Sequence, residues 1–428
     1  MAVWTYFFPK NLYPLNGDYN LSIAEYIGEG GLRYNSSTTK QAIYDLDNGL
    51  QVKVLGSGFA FDSQKDPVSG TVTSIQLLTK TGTVFQTISG LNLSYADLSD
   101  AAQAYDAWSF QDWLMQGNDT ITGSAGGDDM YGFSGNDIMK GGAGDDYMEG
   151  GRGKDTYDGG DGWDTISFQD SYYTRDSVRG IVLDATAGTV TDQYGNKETF
   201  KNIEEFRGTL FADVMTGSSR DETFMGLGGK DTIDGKGGFD MVTYHRDMRR
   251  GGDSGVTVDL AKGTATDGFG KTDKLISIEG ARGTELADKL FGSAVDNFLR
   301  GDEGNDLLAG RGGNDTLRGG AGKDSFLFDV APNGSTNHDS IADFVVADDT
   351  IQLENAVFKV FAKTGVLAAG EFVINTTGKA VDANDHIIYQ SSTGNLYYDA
   401  DGVNGAAAVL FATVSTNLRM TADDFLIV

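Results

Sequence analysis

From Gly117 to Ser167 one nine-residue pattern recurs in strict register, and few folds can accept it. The run reads GSAGGDDMY, GFSGNDIMK, GGAGDDYME, GGRGKDTYD and GGDGWDTIS over residues 123–167, with a partial unit, GNDTIT, from Gly117. Aspartate stands at 119, 128, 137, 146, 155 and 164, with glycine two residues before each. An apolar residue stands two after each: Ile121, Met130, Met139, Met148, Tyr157 and Ile166. The glycine-rich half of each unit suits a tight turn, because glycine reaches positive φ without steric cost. The last three residues suit a very short strand whose middle side chain points inward. One apolar residue per unit closes no core alone, so the units must stack into a solenoid.

Each turn also offers a chemistry. Backbone carbonyls around the turn and one carboxylate supply only oxygen donors, which suits a hard cation, and a flexible ring of such donors suits Ca²⁺ better than Mg²⁺. The pattern resembles the GGxGxDxUx nonapeptide of the RTX (repeats-in-toxin), or hemolysin-type, calcium-binding family. That resemblance implies a parallel β-roll with Ca²⁺ between successive turns. Carried onto the first block, it implies metal positions at Asp119, Gly126, Asp128, Gly135, Asp137, Gly144, Asp146, Gly153, Asp155, Gly162 and Asp164.

Two further blocks follow. The second, residues 208–243, implies Asp213, Gly229, Asp231, Gly238 and Asp240. Its unit GSSRDETFM departs from the pattern, with Glu222 for the aspartate and Arg220 for the glycine before it. The third, residues 283–327, implies Asp288, Gly304, Asp306, Gly313, Asp315, Gly322 and Asp324, with Asn297 in one aspartate position. The opening units of both blocks carry Phe211 or Leu286 near the missing glycine and read as capping turns, since terminal repeats are atypical.

Between the blocks lie two related spacers. Residues 180–218 align without gaps to 255–293, sharing Asp184/Asp259, Asp192/Asp267, Ile203/Ile278, Glu204/Glu279 and an RGT triplet. The chain therefore holds a supra-repeat, in which a strand-rich spacer leads into a roll. Such spacers resemble the insertions between RTX blocks of alphaproteobacterial secreted proteins.

The expected architecture is all-β. Residues 1–116 form a small β-rich domain, with a hairpin at Asn48-Gly49 and a helix from a Ser94/Asp97 capping box to about Met115. Three rolls (117–170, 208–243, 283–327) alternate with spacers (171–207, 244–282), and a C-terminal β-domain spans 328–428. The last segment resembles the export domain of RTX substrates, and its end, Asp423-Asp424-Phe425-Leu426-Ile427-Val428, is similar to their uncleaved type I secretion signals.

Composition narrows the function. A net charge of −29 excludes nucleic acid as a partner, which needs a basic surface. Without cysteine there is no disulfide framework and no zinc–thiolate site. The opening MAVWTYFFPKNLYPLNG lacks the marks of a Sec leader, and no apolar run approaches the ~20 residues of a membrane span. With three histidines, no HExxH and no GxSxG, no catalytic constellation is expected. The resemblance thus implies a secreted protein that folds on Ca²⁺ outside the cell, exported by type I machinery. A cell-surface, adhesion or matrix role, with an extracellular glycan as partner, is the leading reading. A toxin-like effector, or an enzyme with its chemistry in residues 1–116, is the alternative.

Overall fold

The computed structural model describes residues 3–6, 33–46, 49–105, 107–169 and 177–428. The chain is mostly strand and divides into two compact units, Met1–Arg179 with Ala187–Arg207, and Gly180–Thr186 with Gly208–Val428.

The roll is built as the period demands. Each nonapeptide contributes one short strand, and strands pair in parallel with the next repeat but one, not with the next. One repeat is therefore half a coil, and alternate repeats stack on opposite faces. On one face Ile121, Met139 and Tyr157 lie in register; on the other, Met130, Met148 and Ile166. All six side chains are buried, and they form the core between the faces. Parallel pairing without intervening helices works because each turn reverses the chain across the coil.

In the first unit an antiparallel sheet precedes the roll. Strands Arg33–Thr38, Gln41–Asp45, Leu50–Phe61, Pro67–Thr79 and Val84–Ser94 pair in sequence order. Gly49, at φ +87, lies in the expected hairpin; Asn48 lies outside the described residues. Val3–Tyr6 joins the two parts, antiparallel to Val84–Ser94 and parallel to Thr120–Thr122, the first roll strand. The helical stretch is two helices, Tyr95–Ala104 and Ala107–Leu114. Ser94 Oγ caps the first by accepting the Asp97 N–H, and Tyr105, in extended backbone, ends it. Tyr95, Leu98, Phe110 and Leu114 carry the buried side of the pair. The spacer hairpin Thr189–Thr191/Lys197–Lys201 then extends one face of the roll, with Phe200 in register with Tyr157.

In the second unit the ladders are longer. One runs through Val258, Leu290, Leu308, Phe326, Ile351 and Phe425 in register. The facing one runs through Val242, Ala281, Leu299, Leu317 and Ile341. Strands after residue 328, including Thr350–Leu353 and Phe425–Ile427, continue the roll's ladders. The paired spacers repeat the same local join: Leu183 registers with Met215 as Val258, its counterpart in the second spacer, does with Leu290.

Candidate metal centre

Every aspartate of the pattern is buried, from Asp119 to Asp324. One link repeats up each ladder: the N–H of one aspartate donates to Oδ1 of the aspartate two repeats on. Asp119 donates to Asp137 (2.7 Å), Asp128 to Asp146 (2.8 Å), Asp137 to Asp155 (2.8 Å) and Asp146 to Asp164 (2.9 Å). In the second unit Asp213 donates to Asp231 (2.8 Å), Asp288 to Asp306 (2.8 Å) and Asp306 to Asp324 (3.0 Å).

The second carboxylate oxygen separates two kinds of turn. In the open kind, Oδ2 of Asp137, Asp146, Asp155, Asp164, Asp231, Asp240, Asp306, Asp315 and Asp324 is buried with no hydrogen-bond donor in reach. In those nine units the residue at the second position has positive φ: Gly142, Gly151, Gly160 and Gly320, but also Phe133, Leu227, Lys236, Asp302 and Arg311. The glycine two before the aspartate is also left-handed there: Gly135, Gly144, Gly153, Gly162, Gly229, Gly238, Gly304, Gly313 and Gly322.

In the sealed kind, a hydroxyl at the second position closes the acid. Thr209 donates its N–H (2.8 Å) and its hydroxyl (3.0 Å) to Asp213, and the Ile181 N–H adds a third bond (2.7 Å). Thr284 and the Val256 N–H serve Asp288 the same way. Ser218 does so for Glu222, and Ser293 for Asn297. None of these four units has a residue at positive φ. They are the first two turns of the second and third blocks. Gly126 and Asp128 fall between the kinds: Gly126 lacks positive φ, the Ser124 hydroxyl bonds the Gly126 carbonyl (3.3 Å), and Asp128 Oδ1 stays buried without a donor.

Burial without a donor is costly for a carboxylate. Desolvation pushes Asp137, Asp146 and Asp306 up to about 8, and Asp155, Asp164, Asp315 and Asp324 up to about 6. Neighbouring acids raise most of them further, Asp155 and Asp119 acting on Asp137, for example.

The open turns fit a hard cation. A Cβ on Gly141 would collide with both Asp146 Oδ2 and the Gly159 carbonyl, and one on Gly301 with Asp306 Oδ2 and the Gly319 carbonyl. The carboxylate of one rung and the carbonyl of the rung stacked on it thus face the same small space; sealed turns share this arrangement, as at Gly283 with Asp288 Oδ2 and the Gly301 carbonyl, and differ in the donors their acid already receives. Among the described residues no three His, Cys, Asp or Glu side chains converge as a metal-binding group, so main-chain carbonyls must supply most of the donors. All-oxygen coordination of this kind is what Ca²⁺ accepts.

Sequence reasoning missed the sealing hydroxyls, although Thr or Ser directly after the first glycine was a visible signal. It also missed the carboxylates that continue the ladders beyond the repeats. Asp315 donates its N–H to Asp339 (3.2 Å) and Asp324 donates to Asp349 (3.0 Å), both acids preceding an apolar residue by two, as in the repeat.

Fold and site together define a β-solenoid with buried carboxylates lining its turns, a calcium-binding repeat protein. Comparison with known families matches the RTX calcium-binding nonapeptide repeat in four copies, at residues 115–132, 131–166, 207–242 and 283–326. These matched segments are RTX calcium-binding nonapeptide repeats, and they support the RTX family for this chain. It binds Ca²⁺ at several sites and is a protein of secreted type. None of the curated proteins compared matches it. Among solved structures it is similar to the extracellular lipase LipA from Serratia marcescens, at 16% identity over 73% of this chain. This chain spans only 40% of that lipase, and the TM-score is 0.18, too low for anything to be drawn from it about activity. Among the described residues no helix is long and apolar enough to cross a membrane.

Proposed function

We propose that this protein is exported unfolded by a type I system, folds when its rolls meet Ca²⁺ outside the cell, and then serves as a calcium-stiffened attachment module. The reading rests above all on the buried carboxylate oxygens of the open turns. Without a cation the like charges oppose stacking, and with one the binding free energy becomes folding free energy. Extracellular calcium suffices for weak sites with Kd of about 10⁻⁴–10⁻³ M. We assign the ligand roles to the open-turn aspartates and to turn carbonyls of their blocks. Asp213 and Asp288, already saturated by threonine and main-chain donors, take a structural role.

The docked strand Phe425–Ile427 supports the export step. Phe425 and Ile427 are buried once the roll forms, so a signal at this segment is legible only before folding. For attachment, the N-terminal sheet and first helix enclose a cleft of about 330 Å³ lined by Tyr34, Tyr44 and Tyr95 with Gln64, Lys65 and Asp66. Aromatic faces beside polar groups suit a sugar ring. The aromatics Trp4, Tyr6, Phe7 and Phe8 lie outside the residues whose side chains are described. A glycan array probed with the full chain in Ca²⁺ tests the attachment. Binding that Tyr34→Ala weakens supports it; an array with no ligand removes it. Equilibrium dialysis against ⁴⁵Ca²⁺ tests the calcium reading, which predicts several ions bound per chain.

A further inference from the structure

The first two blocks do not end where their nonapeptides end. In the last turn of block 1, Asp164 Oδ2 is fully buried without a donor, as in the other open turns. No further repeat stacks on it. Instead, the spacer brings up Asn202, whose φ is +53, and Glu204. A Cβ on Gly159 would collide with Asp164 Oδ2 and the Asn202 carbonyl, as one on Gly141 would collide with Asp146 Oδ2 and the Gly159 carbonyl. The Asp164 N–H donates to Glu204 Oε2 at 3.1 Å, the link that the aspartate two repeats on accepts elsewhere.

The same arrangement stands at the end of block 2. Asp240 Oδ2 is fully buried without a donor, and a Cβ on Gly235 would collide with it and with the Ser277 carbonyl. Ser277 has φ +49, and Glu279 Oε2 accepts the Asp240 N–H at 3.0 Å. The spacer turn is shorter than a repeat turn: the acid follows its carbonyl residue by two positions, where Asp164 follows Gly159 by five. Glutamate's extra methylene lets the shorter turn reach.

We propose that Glu204 and Glu279 are calcium ligands, each completing a terminal site with the carbonyl of Asn202 or Ser277 and the carboxylate of Asp164 or Asp240. The Asp carboxylate and the spacer carbonyl share one glycine-sized space, and the glutamate carboxylate sits one hydrogen bond away on the aspartate N–H, so all three offer oxygen donors suited to Ca²⁺. Both glutamates lie outside the matched repeats, so each spacer is half of a metal site and not a passive connector. This assignment rests on the calcium reading above.

The test is bound ⁴⁵Ca²⁺ per full-length chain, at saturation, for wild type, E204Q/E279Q and the control E205Q. Glu205 pairs with Arg207 at 2.6 Å beside the site. The expected result is one ion lost per substituted glutamate, with a raised calcium midpoint for folding, and no loss in E205Q. Should the double variant not fold, E204Q and E279Q singly should each lose one ion. Variants that fold and bind the wild-type number overturn the assignment and leave the calcium reading standing. A wild type that binds no Ca²⁺ overturns both.

Discussion

Asp288 and Asp306 are adjacent rungs of one ladder, equally buried and joined by a hydrogen bond, yet they live in different electrostatic states. Asp288 receives the Thr284 hydroxyl and N–H and the Val256 N–H. Asp306 receives one N–H, from Asp288, and keeps a buried oxygen with no donor. Burial lifts Asp306 to about 8, with the charges of Asp288 and Asp324 adding to it, and Asp288 to about 6, where the Thr284 and Val256 hydrogen bonds oppose the burial. The motif's aspartate is the same in both. The rest of the turn differs: sealed turns carry Thr or Ser after the first glycine and lack the glycine two before the acid, whereas open turns carry that glycine at positive φ. Sealed turns open blocks 2 and 3, so in those two blocks the open turns stack on rungs whose acids are already hydrogen-bonded.

If that contrast holds, the largest effect comes from removing an open-turn acid. Asp306→Ala should raise the calcium concentration at the folding midpoint severalfold and flatten the transition, and Asp146→Ala should do the same in block 1. Asp288→Ala should destabilise the chain without changing the number of ions bound. Calcium titrations of the variants, followed by circular dichroism, separate these outcomes; equal shifts for Asp288 and Asp306 would erase the distinction.

Proton binding gives the next effect. Asp137, Asp146 and Asp306 are held near 8 in the fold, against about 4 in an unfolded chain. The metal-free folded rolls therefore bind more protons than the unfolded chain between those limits. Their stability in chelator should be greatest near pH 4 and fall as pH rises through about 8. Thermal melts in chelator across that range check the sign. With Ca²⁺ in place of the protons the trend should reverse.

A gain of function sharpens the comparison. Thr284→Gly with Leu286→Gly rewrites the sealed turn as an open one, and the full chain should then bind one further ion in equilibrium dialysis. The smallest effect is Thr284→Val, which leaves the carboxylate short of one donor. It should cost about 1–3 kcal/mol in calcium, by denaturant unfolding, with the number of bound ions unchanged.

Much of this was legible beforehand. The nine-residue period gave the strands, the inward residues and the buried acids, because one apolar side chain per half-coil has only one way to be covered. That the units with Phe211 and Leu286 depart from the pattern was also visible, but spacer strands stack on both, so neither ends its ladder. Three things were not. The period does not say which rungs stack, and the pairing of each repeat with the next but one emerges only from the coil. Left-handed backbone at Phe133, Leu227 and Arg311 is hidden, since nothing local favours it in a bulky residue; the turn imposes it. The spacer acids Glu204 and Glu279 were seen as matching positions, but their reach to Asp164 and Asp240 depends on a turn of different length.

The central claim is that the open turns make folding depend on Ca²⁺. Circular dichroism of the full chain in chelator, followed by titration with Ca²⁺ and separately with Mg²⁺, tests it most directly. The account predicts little β-signal from the rolls in chelator and a cooperative gain with Ca²⁺ but not with Mg²⁺. A fully folded spectrum in chelator, unmoved by Ca²⁺, would contradict it and leave the rolls as solenoids that stand without metal.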